Sequence, residues 1–334
     1  MHYRKLGNSD LEVSEVGFGL WTLATNWWGE VENKTEMLQA AVDSGINFFD
    51  TAPVYGENGL GESLLAPLLA SNREDMIITT KCGYDITAPR RAKQYERPYD
   101  WSAAGVTQQL EDSLKRLGTD YVDLYQLHNA KIDAVNNDEL WETLDGFVQS
   151  GKVRYLGVAL GPAIGWEEEG LVSLDKRNIV SLQTVFNILE QEPGLTFASH
   201  EKVAKGECSL ISRVPHASDT LNGKETREFK FRGDDHRKHR KRDNMLDNFD
   251  KADAIEQLWA PETGRTIGQA TIAGILANSS FATVFPTCVT TEEVAEYSKA
   301  SDLPFTTDEH SYLQDQYKNN FGVTNRYDME MKES

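Results

Sequence analysis

Short apolar runs alternate with amphipathic stretches along most of this chain, and that rhythm narrows the folds open to it. Runs at 46–50, 76–81, 121–128, 153–160, 179–187, 208–214 and 282–286 read as strands apolar enough to be buried on both faces. Between them, 33–45, 61–70, 102–118, 138–151, 266–277 and 291–300 read as helices. Asn33 with Glu36 three residues on is a capping pattern, Met37, Ala40 and Ala41 share a face, and Gly45 suits the stop. Ser102 caps the next clear helix, Val106, Leu110, Leu114 and Leu117 form its stripe, and Gly118 ends it. Parallel strands joined by crossover helices give a doubly wound sheet or a closed barrel, and a repeat count near eight favours the α/β class as a single (β/α)8 TIM barrel. The opening residues read as an N-terminal β-hairpin turning at "GNSD" (7–10), set to close the barrel's bottom, with 1–334 forming one domain.

Bulk properties remove whole function classes. A formal net charge of −19 argues against a general nucleic-acid binder, which needs a basic face. No apolar run approaches the ~20 residues of a membrane helix, and the first residues lack a signal peptide's apolar stretch. Cys82, Cys208 and Cys288 are far apart and odd in number, so they read as reduced core thiols, and a cytoplasmic location is expected.

Several motifs fail on inspection. "GFVQSGK" (146–152) approaches a phosphate loop, but Val153 stands where Ser or Thr is needed and the segment joins helix to strand. "GENGLGES" (56–63) lacks the dinucleotide-fingerprint spacing and reads as turn chemistry at the barrel mouth. The only basic cluster lies in 228–244, a solvated loop or helix face; His236 and His239 there have no third ligand nearby, so no metal site is expected.

Four polar residues fall at the strand ends or in the loop beyond, where barrel active sites lie. Asp50 ends one strand and Tyr55 follows in its loop; Lys81 and His128 end the next two. A free phenol has a pKa of ~10, and an ammonium in contact with its oxygen lowers that value. Two units require about 2.7 kcal/mol, within reach of one charge in a partly desolvated site. Asp50 would keep the lysine charged, and His128 would orient a substrate oxygen. Such a group delivers a proton to a carbonyl oxygen becoming an alkoxide, so a small-molecule carbonyl substrate and a hydride-carrying cofactor follow.

On these residues the sequence resembles the aldo-keto reductase family. "GFGLWT" (17–22) is similar to its first-strand segment and "GINFFDTAPVYG" (45–56) to its best-known signature. "TTKCG" (79–83), "SLKRLGTDYVDLYQLH" (113–128), "GKVRYLGV" (151–158) and "QTVFNIL" (183–189) follow in the family's order. The resemblance implies one barrel using NADP(H) or NAD(H) without a Rossmann domain. It assigns Tyr55 as acid/base, Lys81 and Asp50 as its supporters and His128 as orienter. It also assigns cofactor contacts to Trp21, Asp50, Gln183, Arg213, Pro215, Ala217, Ser218 and Thr287. Departures from the family pattern cluster at the cofactor grips. Ala159 and Leu160 replace a Ser-Asn pair that holds the carboxamide, leaving Gln183 as amide partner, and Arg213 replaces a stacking tyrosine. Asp219, Val289, Glu293 and Tyr297 replace a glycine, a basic residue, a Gln or Arg and an Asn. Asp219 and Glu293 would repel a 2′-phosphate, and the basic run His236–Arg242 would partly compensate. Carbonyl reduction is therefore the leading reading. A cofactor-binding regulatory relative with little turnover is the alternative, and an unrelated phosphate-binding barrel enzyme is a weaker third.

Overall fold

The computed structural model describes residues 1–89, 97–161, 164–231, 235, 237 and 240–326. Eight parallel strands follow one another around the barrel in chain order. After the hairpin strands β1 (Tyr3–Lys5) and β2 (Glu12–Ser14) come β3 (Phe18–Gly19), β4 (Phe48–Asp50), β5 (Ile77–Cys82), β6 (Val122–His128) and β7 (Val153–Ala159). β8 (Ser181–Val185), β9 (Ser209–Arg213) and β10 (Phe281–Phe285) complete the set. The last strand returns to the first: Gly17 N–H donates to Val284 O at 2.9 Å, and Val284 N–H donates to Glu15 O at 3.0 Å. Every residue of β4, β5, β6, β8 and β10 is buried, as strands covered by helices outside and packed side chains inside must be.

The predicted hairpin is present, with Tyr3, Arg4 and Lys5 antiparallel to Ser14, Val13 and Glu12. Its Leu6, Leu11 and Val13 pack against Phe48, Leu124, Ile211 and Phe285, sealing the end of the barrel away from the site.

Local signals act as read. Ser102 accepts from Gly105 N–H at 3.0 Å, and Gly118 ends that helix at φ 67°. Asn33 accepts from Glu36 N–H at 3.1 Å, while the Glu36 carboxylate accepts from the Asn33 side-chain amide at 2.9 Å. In "GENGLGES", Gly56 has φ 77°, and a Cβ there would sit 2.7 Å from Ala24 O. Only glycine lets the chain leave Tyr55 so close to that carbonyl.

Other boundaries differ from the sequence reading. The 17–22 segment is strand only at Phe18–Gly19; Trp21–Ala24 is a helical turn that lifts Trp21 onto the mouth. Helices also form at Glu167–Lys176, Arg242–Asp253 and Thr307–Lys318, outside the segments read as helices from sequence. The three cysteines are buried and free, and burial pushes the Cys82 and Cys208 thiols up to about 12. Among the described residues no helix is long and apolar enough to cross a membrane, and no group of side chains could hold a metal ion.

Candidate active site

Adjacent strands bring three of the four candidate side chains to one rim. Asp50 ends β4, Lys81 is next to last in β5 and His128 ends β6. Beyond β4 the chain turns through Ala52, whose carbonyl accepts from Tyr55 N–H at 3.0 Å, and this tight turn returns the phenol over the barrel. Behind β5, buried Glu62 accepts from Thr80 Oγ1 at 2.5 Å and from Arg116 Nε at 2.6 Å, fixing the strand that carries the lysine.

Lys81 is fully buried, so a solvated lysine is ruled out. Its Nζ donates to Asp50 Oδ1 at 2.7 Å, Asp50 Oδ2 at 2.8 Å, Thr51 O at 2.8 Å and Tyr55 Oη at 3.0 Å. Three protons shared among four acceptors leave the ammonium no freedom to turn. Tyr55 Oη also lies 3.4 Å from Asp50 Oδ1.

The electrostatics run against one sequence expectation. Burial, and then the Asp50 carboxylate, hold the Tyr55 phenol well above its usual value, with Arg213 pulling the other way. The contact with Lys81 is as expected, but the Asp50 carboxylate, 3.4 Å from the same oxygen, opposes the ammonium there. Lys81 itself is pushed down by burial and held up by Asp50. His128 is driven well below 6.5 by burial first, then by Lys81 and Arg213, so its imidazole is neutral at pH 7.

Around this set stand aromatic rings. Trp21 meets Tyr55 edge-on at 4.9 Å and Trp27 edge-on at 4.7 Å. His128 sits edge-on to Tyr55 at 5.8 Å and to Tyr84 at 5.0 Å. Tyr84 stacks on Tyr99 at 4.5 Å, and Tyr99 on Trp101 at 5.2 Å. Tyr84, Tyr99 and Asn129 were not singled out from sequence; the one available signal is a polar Asn129 directly after His128.

Residues expected to grip a dinucleotide occupy the other side of the rim. Gln183 Nε2 lies 3.4 Å from Asp50 Oδ2, while its Oε1 is buried without a partner. Arg213 reaches from β9 across β8 to the end of β7, donating through Nη2 to the carbonyls of Leu160 and Gly161. So where Ala159 and Leu160 lack polar side chains, backbone oxygens anchor a cation instead. Pro215 and Ala217 are buried and Ser218 half-buried in the loop beyond β9. Val214, Ala217, Ser218 and Asp219 there all take left-handed φ, from 47° to 74°. Such conformations cost about 1–2 kcal/mol per non-glycine residue and concentrate at ligand-holding loops. Thr287 is half-buried just beyond β10.

Both acids expected to repel a 2′-phosphate carry ion pairs, Glu293 one to one and Asp219 through a guanidinium shared among three carboxylates. Asp219 pairs with Arg237, which also holds Asp235 at 2.8 Å and Glu225 at 2.9 Å. Glu293 pairs with Lys224 and accepts from Val289 N–H at 2.8 Å. Their net field is smaller than that of bare carboxylates. Of the basic run, Arg240 pairs with Glu190 at 3.0 Å, and His236, Lys238 and His239 lie outside the described residues.

His216, in the same loop, gives a testable acid response. Its Nε2 lies 3.3 Å from Gly268 O and its Nδ1 is buried without a partner. Burial lowers it to about 3, with the Gly268 carbonyl opposing. Below pH 6.5 the unfolded chain therefore takes up a proton that the folded chain refuses, and stability falls as pH falls. At about 1.4 kcal/mol per pH unit, His216 removes about 2 kcal/mol between pH 6.5 and 5, and His128 acts in the same direction. Urea unfolding should show His216→Leu losing about 2 kcal/mol less than the wild type over that interval; equal losses would exclude His216 as a source.

The sequence profile of the aldo/keto reductase family matches residues 15–318. An uncharacterized oxidoreductase YqkF of Bacillus subtilis is 34% identical over 227 residues, 67% of this chain and 68% of that protein. Aldo-keto reductase YhdN of the same organism is 30% identical over 247 residues, 72% of this chain and 69% of that protein. The holo form of aldo-keto reductase AKR11C1 from Bacillus halodurans superposes with a TM-score of 0.74 at 28% identity, covering 94% of this chain and 96% of that one.

Proposed function

The chain belongs to the aldo/keto reductase family, and from that premise we propose that Tyr55 is the general acid of its NAD(P)H-dependent reduction of an aldehyde or ketone. One observation carries the assignment: a single buried ammonium, Lys81 Nζ, holds both Asp50 and the Tyr55 oxygen within 3.0 Å. The raised phenol is an asset in this role. Tyr55 stays protonated at neutral pH, so the donor is loaded before the carbonyl arrives. As charge builds on the substrate oxygen the proton moves across, and the phenolate left behind is stabilised by Lys81 at 3.0 Å and by the Arg213 guanidinium. Neutral His128 donates an N–H to the same oxygen and orients it without competing as an acid.

When bound, the nicotinamide supplies hydride to the carbonyl carbon. The residues present fit it. Gln183 offers an unpaired buried Oε1 to a carboxamide, Arg213 a planar cation to a ring, and the left-handed loop with Pro215, Ala217 and Ser218 a bed for phosphates. Trp21, Asp50 and Thr287 complete the set we assign. We also infer that residues 1–334 act as one barrel domain in the cytoplasm, on a small-molecule carbonyl and without nucleic acid.

Titration with NADH and NADPH against intrinsic tryptophan fluorescence tests this reading, because Trp21 touches Tyr55. Saturable quenching by at least one dinucleotide, together with its oxidation by some member of a broad aldehyde panel, is expected. Binding with no reduction anywhere in the panel would instead mark a regulatory relative.

A further inference from the structure

His128 has no hydrogen-bond partner for its ring among the described residues, although a neutral imidazole must present the correct nitrogen if it is to orient a carbonyl. Its orientation therefore comes from packing. Tyr55 closes one side, but Tyr55 is itself a reacting group. Tyr84 closes the other, edge-on at 5.0 Å and 80°.

What fixes Tyr84 is a closed circuit of hydrogen bonds. Asn129 Nδ2 donates to Tyr84 Oη at 2.9 Å, Tyr84 and Tyr99 hydroxyls lie 2.9 Å apart, and Tyr99 Oη donates to Asn129 O at 3.1 Å. Each phenol has one proton, so one arrangement satisfies all three contacts: amide to Tyr84, Tyr84 to Tyr99, Tyr99 to the Asn129 carbonyl. The circuit begins and ends on the residue that follows His128. Asn129 is anchored in turn, its N–H donating to Ala159 O at 2.8 Å and its φ of 51° tolerated by asparagine better than by most residues. Stacking on Tyr99, which stacks on Trp101, stiffens the Tyr84 ring from behind.

We propose that Tyr84 is a positioning residue, locked by the Asn129–Tyr84–Tyr99 hydrogen-bond circuit so that its ring holds the His128 imidazole in one orientation for carbonyl recognition. The proposal rests on His128 acting as substrate orienter. Tyr84 touches neither proton donor nor substrate in this role; it acts through His128.

The test uses full-length protein labelled with 15N-histidine, the His128 resonances being assigned by their loss in His128→Gln. Wild-type imidazole nitrogens should give a single sharp set of resonances, as one held ring orientation does. Tyr84→Leu, which removes the ring, should broaden or split that set and lower kcat/KM for a good aldehyde about tenfold, mostly through KM. Tyr84→Phe and Tyr99→Phe keep their rings and cut the circuit; each should fall about threefold, and the double variant no further than about threefold, because both break one loop. The two conservative variants keep the test decisive if Tyr84→Leu does not fold. A wild type that shows two sets overturns the proposal. So does a change in the resonances without a change in rate, or in rate without a change in the resonances, in the conservative variants. Loss of this effect while Tyr55→Phe is still inactive would remove Tyr84 and leave the general-acid reading standing.

Discussion

Tyr55→Phe is expected to lower turnover at least about 10²-fold, the scale of a lost general acid, while the fold and dinucleotide affinity persist. The ring that packs against Trp21 and His128 survives in that variant; only the oxygen 3.0 Å from Lys81 is removed. In energy the loss is about 2.7 kcal/mol of barrier. Steady-state kinetics with saturating dinucleotide separate this from a binding defect, since a missing proton donor lowers kcat and kcat/KM together. Near-normal rates would falsify Tyr55 as the donor and point to His128, which would then need a charge that its buried site denies it.

The second large effect concerns the buried pair. Asp50→Asn strands the Lys81 ammonium in a site with no solvent exposure, and Lys81→Met strands the Asp50 carboxylate. Breaking a buried pair from one side costs about 3–5 kcal/mol, because the remaining charge is uncompensated. The double variant Asp50→Asn/Lys81→Met strands neither, so it should be at least about 2 kcal/mol more stable than the sum of the single losses predicts. Urea unfolding at pH 7 measures all three. All three should be poor catalysts, since each removes the clamp on the Tyr55 oxygen or its counter-charge. Strict additivity would mean that the two charges do not meet in solution as they do at 2.7 Å here.

Much of the barrel was readable because its strands are short runs rich in apolar residues and its clearest helices carry stripes and caps. Short helices such as Ile132–Asn136 escaped, and three longer ones escaped for physical reasons. In Glu167–Lys176 the packed face includes Gly170 and Ser173, small residues that bury well but give no apolar signal. In Arg242–Asp253 the apolar Met245, Phe249 and Ala252 share the buried face with Asp247 and Asn248, which blur the stripe, and in Thr307–Lys318 only Leu313 is buried. The four central residues were legible because strand ends in a barrel converge whatever their separation in sequence. Their electrostatic balance was not. The sequence names an ammonium and a carboxylate, but only the structure shows that Asp50 grips Lys81 with both oxygens beside the phenol and that burial, with Asp50, raises the phenol instead of lowering it. Likewise Asp219 and Glu293 look like bare repulsive acids until Arg237 and Lys224 are found against them. The circuit through Tyr84, Tyr99 and Asn129 depends on ring stacking between distant loops, which no periodicity encodes.

The seam joining residues 15–17 to Val284 also governs how the molecule can be made. A growing chain that has emerged only as far as β8 carries two open sheet margins, the short β3 at one side and β8 at the other. The β3 margin stays available for mispairing until β10 emerges, with more than three-quarters of the polypeptide out, while the other margin passes from β8 to β9 as β9 forms. Long-range contacts of this kind slow folding, so the nascent barrel depends on its final strand for protection against its own edges.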